Sequence, residues 1–169
     1  MERDEWTPGR LFGVSEGYWQ SCALHAAVKL ELFTRLGSAG LTADDVAREL
    51  SGTDARGAGV LLNAMAAMGL LRKERRQFHN TSFSRTHLVK GSPQYLGGII
   101  LHYRDMVQTW AVLDRAIADG KPVGRPPQHT REEQESFLAR LDEQDPSGGI
   151  GGVVFEPALQ HLDGLFRLS

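Results

Sequence analysis

Cysteine is almost absent from this chain. Cys22 stands alone among 169 residues, which excludes an intrachain disulfide and suits a reducing compartment. Long apolar runs are missing too: none approaches the roughly 18 residues of a membrane span. Met1, Glu2, Arg3, Asp4 and Glu5 are mostly charged where a secretory leader would carry an apolar core. Nor is there a basic excess. The formal net charge is −2, so no global field draws the chain to nucleic acid or to an anionic membrane. These absences predict a soluble, cytoplasmic protein of about one domain.

The chemistry-bearing constellations are absent as well. The six histidines, His25, His79, His87, His102, His129 and His161, contain no i, i+4 pair, and Cys22-x-x-His25 has no second half, so no metal site is expected. No Ser/His/Asp or Cys/His set emerges, and no catalytic residue is assigned. Gly148, Gly149, Gly151 and Gly152 follow a polar helical segment and lead into Val153-Val154-Phe155. A nucleotide loop needs a buried strand before it and a helix start after it. No cofactor is therefore expected to bind this chain.

What is present is helical periodicity. Residues 92–120 begin with Ser92-Pro93, a cap followed by proline at the first helical position, and close on Asp119-Gly120 before Pro122. Leu96, Tyr103, Trp110 and Ile117 recur every seventh residue, and Ile99, Met106 and Leu113 recur three positions on. That pattern predicts one long heptad-patterned helix of roughly 40 Å. Its seam needs another long helix, from this chain or from a second copy.

A second helix is expected over residues 15–36, with apolar positions at Trp19, Cys22, Ala26, Leu30 and Phe33 and small residues from Cys22 to Ala27 that admit a close neighbour. Residues 1–13 read as a lead-in. Thr42 caps a short helix, with Leu41 and Val46 placed as a hydrophobic staple. Asp54 caps a third helix that stops at Gly69, and residues 70–73 and 77–80 form two strands around a polar turn. Residues 81–91 read as irregular. Helix, short helix, helix and hairpin is the winged-helix order. The fold class is mainly α: a winged-helix-like helical domain with a small β-hairpin and one long helix. The domain spans residues 14–122, a linker and helix residues 123–142, and an atypical flexible tail residues 143–169.

A winged helix invites a DNA-binding reading. The third helix, however, offers only Arg56 and Asn63 as contacts, and base readout needs several polar side chains on the exposed face. The hairpin is basic at Arg72, Lys73, Arg75 and Arg76, a pattern that also suits a solvated tip. A DNA-binding regulator and a non-catalytic small-ligand-binding helical protein remain as alternatives. No nucleic-acid or membrane partner is expected.

The segments together resemble the N-terminal dimerisation region of S-adenosylmethionine-dependent O-methyltransferases, the group of plant phenolic and bacterial polyketide enzymes. The resemblance rests on Gly17-Tyr18-Trp19, Ser21, Leu24-His25-Ala26-Ala27-Val28, Leu30, Leu32-Phe33, Leu41-Thr42-Ala43 and Val46-Ala47. It continues through Arg56-Gly57, Leu61-Leu62-Asn63-Ala64-Met65, Met68-Gly69-Leu70-Leu71, Phe78, Asn80-Thr81, Ser84, Leu88-Val89, Trp110, Leu113, Ala116 and Gly120-Lys121-Pro122. It implies a homodimer, with Trp19, Cys22, Ala26, Leu30, Leu96, Ile99 and Tyr103 at the interface. It implies that Trp19, His102, Met106 and Trp110 face a substrate pocket. It also implies S-adenosylmethionine as the methyl donor of the full-length family, and a small, hydroxylated, aromatic acceptor. The family's methyl-donor domain is not recognisable after Leu141. The resemblance therefore predicts that this chain transfers no methyl group alone and meets substrate only with a catalytic domain.

Overall fold

The computed structural model describes residues 6–50 and 53–121. Cα packing divides the chain into two units, residues 1–104 and 105–169. The first contains α1 (Pro8–Glu16), α2 (Tyr18–Lys29), α3 (Leu32–Leu36), β1 (Leu41–Thr42), α4 (Ala43–Glu49), α5 (Ala55–Ala67), β2 (Leu71–Glu74), β3 (Gln77–Asn80) and α6 (Ser82–His87). α7 (Gly97–Trp110) begins in the first unit and ends in the second, which also holds α8 (Leu113–Asp119).

Local signals start the helices where the caps stand. The Thr42 hydroxyl accepts from the Asp45 N–H, and the Asp45 carboxylate accepts from the Thr42 N–H at 2.9 Å, a reciprocal capping box. The Asp54 carboxylate accepts from the Gly57 N–H at 2.5 Å and opens α5. α5 then buries Ala58, Leu62 and Met65, spaced by four and three residues on one face. Gly69, at φ +75°, ends that run in the left-handed region. The sheet is antiparallel in the order β1-β3-β2, with Leu41 opposite Phe78 and Leu71 opposite Asn80. The core joins Val28, Leu32, Phe33 and Leu36 to Val46, Leu62, Met65, Leu71, Phe78 and Leu88. The class is therefore mainly helical with a small sheet, in winged-helix order.

Four expectations are corrected. The helix expected over residues 15–36 is three helices. It starts earlier, at Pro8, because Thr7 accepts from the Arg10 N–H at 3.2 Å and caps the segment read as a lead-in. It breaks at Glu31, which adopts φ +53°. There the Glu31 carboxylate meets the Lys90 ammonium at 2.9 Å, and Arg35 Nε donates to the Leu30 carbonyl at 3.0 Å. The long-range Lys90 contact and the local Arg35 bond flank a backbone state that a non-glycine residue otherwise avoids.

The helix expected over residues 92–120 is two helices. Ser92 does not cap it: its hydroxyl donates to the Thr86 carbonyl at 2.6 Å, and the helix opens at Gly97 after Leu96 N–H donates to the His87 carbonyl. Tyr95 lies across Gly97, where a Cβ would collide with its ring. Val112, at φ −120° and ψ 26°, ends the first helix, and Val112 N–H turns back to the Thr109 carbonyl at 3.4 Å.

Leu41 and Thr42 precede their helix as a third strand. Residues 81–91 are not irregular throughout: they include α6, capped by Thr81. The expected linker helix and tail, residues 123–169, lie outside the described residues.

Candidate functional site

The strongest surface feature of the first unit is apolar. α1 buries none of its residues. Trp6, Leu11, Phe12, Val14, Tyr18 and Trp19 are each more than half exposed. Tyr18 and Trp19 meet edge-to-face with centroids 6.0 Å apart, and the Arg10 guanidinium lies 4.8 Å from the Trp6 ring centroid. These contacts arrange the rings without removing them from water. So many exposed large apolar side chains in one short segment mark a candidate interaction surface.

α2 is exposed all round over Tyr18–Cys22 and buries one side only in its second half. His25, Ala27 and Val28 are buried, whereas Trp19, Cys22 and Ala26, spaced by three and four residues, are exposed. Leu30, at the helix end, is exposed too. Four of the expected interface residues therefore share the outward side of this segment. The other three lie on or beside α7: Ile99 is buried, and Leu96 and Tyr103 are half-buried. Burial pushes the Tyr103 phenol above its ordinary range, and its hydroxyl makes no hydrogen bond among the described residues.

Of the expected pocket residues, Trp19 stands on α2, whereas His102, Met106 and Trp110 follow one another at intervals of four along α7. His102 and Met106 are half-buried and Trp110 is exposed. The rings of His102 and Tyr103 lie 6.1 Å apart at a tilt of 56°.

The sequence reading missed the contribution of α1. Its signal was present: Thr7-Pro8 is a cap-and-proline start, and Leu11, Val14 and Tyr18 recur at helical spacing. Among the described residues no cluster of His, Cys, Asp and Glu could hold a metal ion, and no helix is long and apolar enough to cross a membrane. α5 exposes Arg56, Val60, Asn63 and Ala67, a face with few polar groups for base readout.

Comparison with known proteins agrees with this geometry. The family described as the O-methyltransferase dimerisation domain matches residues 12–90. The chain is 32% identical to 3-hydroxy-5-methyl-1-naphthoate 3-O-methyltransferase of Streptomyces sahachiroi, over 91% of this chain and 52% of that protein. An O-methyltransferase family protein from Burkholderia thailandensis superposes with a TM-score of 0.70 at 29% identity, over 90% of this chain and 46% of that one. A structure of PigF with SAH superposes with a TM-score of 0.63 at 29% identity, over 69% of this chain and 34% of that one. The chain thus spans about half or less of the length of each of these proteins. Residues 12–90 of this chain are an O-methyltransferase dimerisation domain.

Proposed function

We propose that this chain is the dimerisation and substrate-lid part of an S-adenosylmethionine-dependent O-methyltransferase, and that it assembles as a homodimer. The observation that carries this reading is the exposed aromatic surface of α1 and α2, which lies largely within the matched domain. Burying rings of this size against a second copy supplies the main driving force for association. Trp19, Cys22, Ala26 and Leu30 form the accessible part of that contact, and Leu96 and Tyr103 complete it from the α7 region, whereas Ile99 is already buried within the subunit and adds little accessible area. His102, Met106 and Trp110 are the lid residues, offering one imidazole, one adaptable thioether and one indole to a small acceptor.

The acceptor class is a small hydroxylated aromatic molecule. The support is the naphthoate named for the Streptomyces sahachiroi relative, together with the aromatic character of Trp19 and Trp110. S-adenosylmethionine supplies the methyl group, and SAH is present in the PigF structure. The part of the described residues in this reading is to pair subunits and shape the acceptor space. Alone, the 169-residue chain transfers no methyl group.

Sedimentation velocity tests the assembly. The expected result is a concentration-dependent dimer, and a stable monomer at tens of micromolar overturns it. Isothermal titration with S-adenosylmethionine tests the division of labour. Tight binding by this chain overturns the lid-only role.

A further inference from the structure

On the first unit, remote in sequence from α1 and α2, a cavity of about 180 Å3 opens where α4, α5 and the β2–β3 hairpin meet. It is lined by Thr42, Asp44, Asn63, Lys73, Arg75 and Arg76, with Gly59 and Phe78 among its floor residues. We propose that this groove binds a dianionic phosphoryl group, as free phosphate or as the head of a phosphomonoester. The inference does not depend on the methyltransferase reading.

Charge selects the ligand class. Lys73, Arg75 and Arg76 face a single acid, Asp44, which leaves an excess of two positive charges. A phosphomonoester carries about −1.5 to −2 near neutral pH and matches that excess. The cations are also held in place. Lys73 Nζ donates to Asn63 Oδ1 at 2.8 Å and lies 5.1 Å from the Phe78 ring centroid. Asn63 is fixed in turn by its own Nδ2, which donates to the Gly59 carbonyl at 2.7 Å. Arg76 reaches Asp44 at 3.5 Å, which neutralises the one group that would repel an anion.

Arg75 is the telling residue. It stands at the tip of the hairpin with φ +55°, a state that glycine or asparagine fills at less cost. Among the described residues its guanidinium has no acidic partner within ion-pair distance. A charged side chain kept on a strained backbone beside a cationic groove is the pattern of a binding residue, and a guanidinium fork matches phosphate oxygens in pairs. Size points the same way. The groove is smaller than the roughly 300–1,000 Å3 of sites that enclose drug-sized ligands, so it accepts a head group and leaves the rest outside.

The test is an amide-shift titration of the full chain with inorganic phosphate, with phenyl phosphate, with sodium chloride at matched ionic strength, and with mixed-sequence duplex DNA. Saturable shifts at Thr42, Asn63 and residues 73–76 with phosphate or phenyl phosphate, absent with chloride, are expected. The tighter of the two phosphates identifies the source. Arg75→Gly should weaken phosphate binding about tenfold or more, the loss of a charge-assisted contact, while holding or raising the melting temperature because the backbone strain is relieved. Lys73→Met should weaken it similarly. Shifts reproduced by chloride overturn the proposal, as does unchanged phosphate affinity in Arg75→Gly. Duplex binding far tighter than phosphate, through the same residues, overturns it in favour of a nucleic-acid surface.

Discussion

Asn80 Nδ2 donates to the Phe33 carbonyl at 2.8 Å across 47 residues of sequence. The same nitrogen donates to the Gly37 carbonyl at 3.0 Å. Asn80 ends β3 and is buried, and Phe33 is the largest fully buried side chain of α3. One amide therefore ties the end of the sheet to a carbonyl of α3 and to the carbonyl of its C-cap, Gly37. Asn80→Ala should cost about 1–3 kcal/mol, because a buried carbonyl and a half-buried one lose their donor. Urea denaturation should show a lower midpoint with an unchanged slope.

Gly40 faces a different constraint. At φ +78° it takes a backbone state that side chains disfavour, and a Cβ there would collide with the His79 ring. Gly40→Ala should destabilise by about 1–3 kcal/mol, combining backbone strain and the clash. Adding His79→Ala should recover the steric part and leave the backbone part. Thermal melts of the single and double variants separate the two contributions.

The acid limb of stability should follow two carboxylates. Asp45 is held below the usual carboxylate range, first by the Thr42 hydroxyl and then by the Thr42 N–H. Glu31 is held low first by its hydrogen bond to Lys90 and then by the charge of Lys90. Folded values lie below unfolded ones, so these groups stabilise fully above about pH 4.3 and lose that contribution as pH falls through the lowered values. Lys90 is raised by Glu31, so its contribution is present below about pH 10.4 and disappears as pH rises through the raised value. Asp45→Asn should flatten the acid decline, and Lys90→Met should flatten both ends. Denaturation midpoints between pH 2 and 11 measure this.

The aromatic surface should matter for association and little for folding. Phe12→Ser and Trp19→Ser remove rings that are more than half exposed. Each should weaken the dimer by about tenfold or more, as loss of an aromatic anchor does. The unfolding free energy of the isolated subunit should change by no more than about 0.5 kcal/mol. Sedimentation equilibrium and dilute-solution denaturation read the two effects separately.

Much of the fold was legible because its causes are local. Thr42 with Asp45, Asp54 before α5, Gly69 after it, and the polar turn between β2 and β3 all act within a few residues. That Trp19, Cys22 and Ala26 share one face of α2 was legible for the same reason: their spacing places them together on any helix. α7 and α8 were less legible. A heptad pattern shows which residues share a face while a helix continues, and it carries no signal for a stop at Val112.

By itself, then, the sequence determined the winged-helix order, the caps at Thr42 and Asp54 and the buried face of α5, since each follows from neighbours in the chain. Tertiary structure decided where the helices break and which groups meet. Glu31 turns left-handed with Lys90, 59 residues away, bound to its carboxylate. Thr81 and Ser84 begin α6 while their hydroxyls donate to the Leu70 carbonyl. Leu41 and Thr42 become a strand because β3 lies alongside to pair with them. In each case the deciding partner lies outside the span over which helix and turn propensities act.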